Sequence, residues 1–219
     1  MSRIRVVLAD DHPIFLTGVK TLLEQAPNMA VIGLAHDPRS LFLLLNNVEC
    51  DVLITDFSMP SETEADGLAM IRQIRSQFPA VVVVVLTVLK NAPLYRELLG
   101  LGVRAILHKD SKSMELAKAV TQAFNGLIFL GSSTAELLHE RQLTIGGSVD
   151  SKQALTLREL EILRFLARGA TANEIAARIH RSVKTISHHK RSAMEKLNLE
   201  TDVQLMRYIA QNGLDESGD

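Results

Sequence analysis

A chain of 219 residues, 47% of them hydrophobic and with a formal net charge of −1, is long for one ordinary domain and natural for two. Its single cysteine, Cys50, excludes an internal disulfide and any multi-cysteine metal centre, and it fits a reducing, cytoplasmic compartment. The longest apolar run, Ala80 to Leu89, is far below the roughly 20 residues a membrane span needs, and Asp10-Asp11 comes too early for a secretory signal, so no membrane association is expected.

Apolar segments alternate with amphipathic helical patterns over residues 1–125. In chain order they are Ile4–Ala9, Pro13–Gln25, Ala30–Ala35, Pro38–Asn46, Val52–Thr55, Gly67–Phe78, Val81–Leu86, Ala92–Leu101, Arg104–Leu107 and Met114–Phe124. Five such βα units predict an α/β domain with a doubly wound, five-stranded parallel sheet. The strands read as continuous Val, Ile and Leu, as expected where helices cover both faces. Pro13 suits the first turn of its helix, and Ser111 or Ser113 could cap the last. A lone Asp after a strand is most often a turn former or a cap. Here four strands end on reactive groups: Asp10-Asp11, Asp56, Thr87 and Lys109. The carboxyl ends of the strands in an open α/β sheet converge on one crevice, so these groups are expected to meet there and to bind a divalent cation and a phosphoryl group.

Residues 126–152 read as a linker. Ser133-Thr-Ala-Glu136 is a capping-box pattern that predicts a short helix over Thr134–Leu143, and Gly146-Gly147-Ser148 has neither periodicity nor bulk. Residues 153–219 contain three more capping boxes, Thr156–Glu159, Thr171–Glu174 and Thr201–Gln204, and Ser182 can cap a further helix. Four helices with short turns follow, with Leu160, Ile162, Leu163, Leu166, Ile175, Ile179, Leu197, Leu205, Tyr208 and Ile209 as their core. In the helix that starts near Val183, the residues Val183, Ile186, Ala193 and Leu197 form a core stripe. Lys184, Ser187, His188, Arg191 and Glu195 form the outward one. Arg178, Arg181, Lys184, Lys190, Arg191 and Lys196 crowd one short stretch, which points to a polyanion partner. Ala172–Ile179, a tight turn and then Val183 onward is the layout that lays a second helix in the DNA major groove. His180, His188 and His189 do not form a metal site by spacing, since adjacent helical residues point about 100° apart.

Ala9-Asp10-Asp11-His12-Pro13, Ile54-Thr55-Asp56 with Met59-Pro60, Asp66-Gly67, Leu86-Thr87 and His108-Lys109 resemble the signature of two-component (CheY-like) receiver domains. The resemblance implies that Asp56 accepts a phosphoryl group from a histidine kinase or histidine phosphotransfer protein. It implies that Asp10, Asp11, Asp56 and the backbone carbonyl of Ser58 arrange Mg²⁺, and that Thr87 and Lys109 contact phosphoryl oxygens. Most receivers carry Tyr or Phe three residues before the Lys, whereas this chain has Ile106. The acidic loop Ser61–Asp66 is also longer than most receivers have, and an upstream partner could dock on it. An enzymatic alternative, a metal-dependent phosphatase of the haloacid-dehalogenase type, needs a second Asp where Ser58 stands, so turnover is disfavoured.

Leu155–Leu163, Ala176–Ile179 and Val183–His189 resemble the LuxR-type helix-turn-helix domain of NarL/FixJ-family response regulators, and Ser182–Ser187 with Lys190–Met194 is most similar to the Rcs capsule-synthesis branch. The resemblance implies a bacterial transcription regulator that binds DNA as a homodimer, with RNA polymerase as a further candidate partner. Ser187, His188 and Arg191 would reach base edges, with Lys184, Thr185 and Lys190 nearer the phosphates. The competing class is a receiver that serves only as a protein-interaction module, without DNA binding.

Overall fold

Unbroken β-branched and Leu runs can be satisfied only where both faces of a sheet are covered, and the first part of the chain builds such a sheet. A computed structural model describes residues 3–59, 66–111, 113–143, 155–179 and 181–211. The chain divides into two compact units, Met1–Val88 with Tyr95–Leu138 and Leu89–Leu94 with His139–Ser217. The elements of residues 3–143 are β1 (Ile4–Ala9), α1 (Pro13–Glu24), β2 (Met29–Ala35), α2 (Pro38–Asn47), β3 (Val52–Asp56), α3 (Leu68–Gln77), β4 (Val82–Thr87), α4 (Ala92–Gly100), β5 (Ala105–His108), α5 (Ser113–Phe124), β6 (Phe129–Leu130) and α6 (Ser132–Leu143).

The sheet is wholly parallel and runs β2-β1-β3-β4-β5-β6. It has six strands rather than the expected five. The sixth, Phe129–Leu130, pairs with Ala105–Ile106 inside the stretch read as linker; two residues are too few to show any period. One face of the sheet packs on α1 and α5 through Val6, Leu8, Val52, Ile54, Val84, Leu86, Ala105 and Leu107 against Leu16, Leu23, Leu116 and Val120. The alternate strand residues Val7, Leu53, Val83, Val85 and Ile106 are equally buried, as are Leu41 of α2, Ile71 and Ile74 of α3 and Leu98 of α4.

Local chemistry explains the helix starts. Pro13 and Pro38 stand at the first turns of α1 and α2, and the Asp37 carboxylate accepts from the Ser40 amide at 2.7 Å. Gly67 opens α3 at φ 63°, where a side chain would strain the backbone. One expected cap, Ser133, does not form the start of its helix. Helix α6 begins at Ser132, so Ser133 lies inside it.

The second unit contains α7 (Leu157–Ala167), α8 (Ala172–Arg178), α9 (Val183–Lys196) and α10 (Asp202–Gln211). The capping boxes at Thr156, Thr171 and Thr201 form as read, and Ser182 caps α9 by accepting from the Thr185 amide at 3.1 Å. Gly169, at φ 77°, makes the turn between α7 and α8. Leu160, Ile162, Leu163, Leu166, Ile175, Ile186, Ala193, Leu205 and Ile209 are buried. Val183 is not part of this core: it is exposed, because the first residue of α9 lies before the stripe turns inward. No described helix is long and apolar enough to cross a membrane. The acidic loop as far as residue 65, the Gly-rich linker and His180 lie outside the described residues.

Candidate functional site

The strand ends are level, because the register pairs Ala9 with Thr55, Asp56 with Leu86 and Thr87 with His108. Asp10 and Asp11 therefore follow β1 beside Asp56 at the end of β3, where the strand order reverses and an open α/β sheet leaves its crevice. Asp10, Asp56 and Thr87 are only 1%, 4% and 1% exposed. The Lys109 ammonium reaches across the crevice, 2.9 Å from Asp10 Oδ2 and 3.1 Å from Asp56 Oδ2. Two further neighbours, Phe15 and His12, carry no role legible in the sequence. The Phe15 ring lies 4.8 Å from Lys109 Nζ and holds the cation over its face. His12 Nδ1 lies 3.1 Å from Asp10 Oδ1 and 2.8 Å from Asp11 Oδ1.

Three carboxylates thus share one ammonium and one imidazole, with little water to screen them. Burial pushes the Asp56 carboxyl up to about 7, against the lowering effect of Lys109 and of the bond from the Ser58 amide. Burial also raises Asp11, opposed by His12. Burial alone would lower the Lys109 ammonium, but Asp56 and Asp10 outweigh it and hold the group above its ordinary value. The site is short of positive charge. Asp10, Asp11, His12 and Asp56 can each offer a ligand atom within 4.8 Å of the others, and the buried Asp10 Oδ2 and Asp11 Oδ1 are ion-paired with Lys109 and His12. A hard divalent cation that prefers oxygen ligands, such as Mg²⁺, fits this donor set. Beyond Asp56 the chain is held by Asp66, whose Oδ1 accepts from the Met59 amide at 3.0 Å and the Gly67 amide at 2.6 Å. That brace stations the Phe57–Met59 loop next to Asp56.

On α9, Lys184, Ser187, His188, Arg191 and Glu195 are all exposed, as the stripe predicts. The basic face is smaller than composition suggests. Lys190 Nζ is 2.7 Å from Asp202 on α10, and Lys196 Nζ donates to both oxygens of Glu159, at 2.9 and 2.7 Å. Thr185 Oγ1 sits 2.8 Å from Ser182 Oγ, within the cap of α9. Glu159, only 3% exposed, also accepts from Ser192 Oγ at 2.7 Å and from the Thr156 amide at 2.7 Å. It therefore ties α9 to the start of α7, a role its place in a capping box did not reveal.

Residues 6–121 match the response regulator receiver domain model, and residues 153–209 match the luxR family of bacterial regulatory proteins. The chain is a response regulator. Its relatives include the transcriptional regulatory protein RcsB of Escherichia coli K12, 37% identical over 210 residues that cover 96% of this chain and 95% of that one. Another is the oxygen regulatory protein NreC of Staphylococcus epidermidis, 30% identical over 216 residues, 96% of this chain and 98% of that protein. Among solved structures, RcsB from Salmonella enterica serovar Typhimurium bound to promoter P1flhDC with the phosphomimetic BeF₃⁻ aligns at TM-score 0.76 and 35% identity, covering 96% of this chain and 100% of that one. This response regulator is thus a NarL/FixJ-type transcription regulator controlled by phosphorylation, joining a receiver to a LuxR-type domain.

Proposed function

We propose that residues 1–125 act as the receiver, 126–152 as the linker and 153–219 as the DNA-binding domain of a cytoplasmic regulator in which Asp56 is the phosphoacceptor. The observation that carries this reading is the cluster of Asp10, Asp11 and Asp56 around the single Lys109 ammonium. A histidine kinase or histidine phosphotransfer protein supplies phosphohistidine. The Asp56 carboxylate attacks phosphorus, an O–P bond forms as the P–N bond breaks, and the histidine departs with the electron pair. Asp10, Asp11, Asp56 and the Ser58 backbone carbonyl would hold Mg²⁺, which when bound neutralises charge on the phosphoryl oxygens. Lys109 offers its ammonium to one of those oxygens and Thr87 its hydroxyl to another.

The relatives' DNA complexes support the second half of the reading: the RcsB structures include one described as two RcsB dimers bound to two parallel DNAs. By the same layout, a homodimer of this chain lays two α9 helices in the major groove, with Ser187, His188 and Arg191 at base edges and Lys184 and Thr185 toward the phosphates. Lys190 reaches a phosphate only by leaving Asp202. Binding to a duplex selected from random DNA, measured against rising salt, tests the reading. Arg191→Ala is expected to lose about 1–3 kcal/mol of discrimination against random DNA, because a bidentate guanine contact is lost. Lys184→Ala is expected to weaken both duplexes alike and to lower the salt slope by about 1. If Arg191→Ala weakens both by the same factor, Arg191 does not read bases.

Ile106 is wholly buried, on the strand face opposite Leu107, and its β-branched side chain is stiff at χ1. The switch therefore runs through displacement of Thr87 and the following loop rather than through a rotating side chain. Thr87→Ala is expected to abolish the effect of phosphorylation on DNA affinity. Ile106→Val is expected to leave it within a few-fold, since loss of one methylene costs about 0.5–1.5 kcal/mol of stability. An equal loss of response in the two folded variants would place the switch at residue 106.

A further inference from the structure

The end of β5 holds the end of β4 by two consecutive rungs. The Lys109 backbone amide donates to the Thr87 carbonyl at 2.9 Å, an ordinary extension of the parallel ladder. The next carbonyl, that of Val88, lies 2.6 Å from Nε2 of His108, so a side chain supplies the rung that the backbone no longer can. A carbonyl only accepts, hence Nε2 carries the proton and donates. The other ring nitrogen, Nδ1, lies 2.6 Å from Asp110 Oδ1, close enough for an ion pair although off the line of a hydrogen bond. His108 is only 8% exposed and Asp110 mostly exposed, so the ring is seated in the fold and the carboxylate orients it from the solvent side.

The placement has a mechanical consequence. Val88 directly follows Thr87, and Lys109 and Asp110 directly follow His108. The ring therefore links the loop after the hydroxyl that meets the phosphoryl group to the loop that carries the ammonium. Neither His108 nor Val88 touches the carboxylate cluster in any described contact, so the link lies beside the phosphoryl chemistry and outside it.

We propose that His108 is a positioning residue of the switch: by donating Nε2–H to the Val88 carbonyl, it makes the β4–α4 loop move together with the Lys109 loop when Asp56 is phosphorylated. The inference rests on the reading of Asp56 as the phosphoacceptor and goes beyond it, because it assigns transmission of the signal to a residue to which the receiver resemblance gives no role. Coupling between sites is carried by an element that both sites bias, and a shared hydrogen bond between two loops is such an element.

The test compares the wild-type protein, His108→Leu and His108→Gln by the gain in affinity for one duplex selected from random DNA when beryllium fluoride and Mg²⁺ are added. Leu fills the buried site without a donor, whereas Gln keeps an N–H that can reach a carbonyl. Thermal unfolding shows that each variant is folded, and acetyl phosphate labelling with intact mass shows that Asp56 still accepts a phosphoryl group. The expected result is normal labelling of both variants, a wild-type gain cut roughly five-fold in His108→Leu, and recovery to within about two-fold of wild type in His108→Gln. A full gain in His108→Leu overturns the inference while leaving the phosphoacceptor reading intact. An equal loss in His108→Gln, with the variant folded and labelled, also overturns it, since the donor would then be irrelevant. No gain in the wild-type protein overturns control of DNA affinity through Asp56 and this inference with it, whereas absence of labelling in the wild-type protein overturns the phosphoacceptor reading itself.

Discussion

Asp56→Asn is expected to take up no phosphoryl group from acetyl phosphate and Mg²⁺, where the wild-type protein gains one by intact mass. Asp56 is the last residue of the central strand β3, lies 3.1 Å from the Lys109 ammonium and is almost wholly buried. Asp10 is as deeply buried, but it lies one residue past the end of β1 and both of its oxygens are engaged, Oδ2 by Lys109 and Oδ1 by His12. An amide at position 56 has nearly the same shape and no nucleophilic oxygen, so the fold survives and the chemistry does not. Labelling of Asp56→Asn equal to wild type would move the phosphoacceptor elsewhere.

Glu159→Ala is expected to destabilise the helical unit by about 3 kcal/mol or more, read as a loss of cooperative unfolding or a sharply lower melting temperature of that unit. The substitution removes the α7 capping box, the acceptor of Ser192 and the partner of Lys196 in one step, and leaves the Lys196 ammonium, whose side chain is only 18% exposed, without its counter-ion. Burial alone would raise the Glu159 carboxyl, but Lys196, Ser192 and Thr156 outweigh it and hold it below the ordinary value. A depressed folded-state value means that this stabilisation is complete above the ordinary carboxylate range and is lost as pH falls through and below it. Glu159→Gln keeps the cap and loses the charge, so it should abolish that part of the acid sensitivity while costing less stability. A helical unit whose stability is indifferent to Glu159→Ala would show that the pairs add nothing.

Much of this was legible in the amino-acid order, for a physical reason. Strands buried on both faces must be continuous Val, Ile and Leu, and Asp10, Asp56, Thr87 and Lys109 stand just where those runs stop; the parallel register then makes their meeting unavoidable. The helical caps are local, with both partners three residues apart, and the boxes at Thr156, Thr171 and Thr201 could be read directly. What escaped depends on distance along the chain or on brevity. The sixth strand is two residues long and exists only because β5 offers it a free edge. Lys196 reads as part of a basic face until the fold brings it to Glu159, 37 residues earlier. Lys190 is likewise withdrawn by Asp202. His12 and His108 stand inside receiver-like motifs that give them no role, and their roles follow from which acceptors the loops place beside their rings.

On the proposed reading, a phosphoryl group on Asp56 controls DNA binding by this response regulator. The most direct measurement is the dissociation constant for one duplex selected from random DNA, taken with and without beryllium fluoride and Mg²⁺ on the wild-type protein and on Asp56→Asn. The expected result is at least about a five-fold gain in the wild-type protein and none in Asp56→Asn. Equal affinities in the wild-type protein, or the same gain in both proteins, would contradict it.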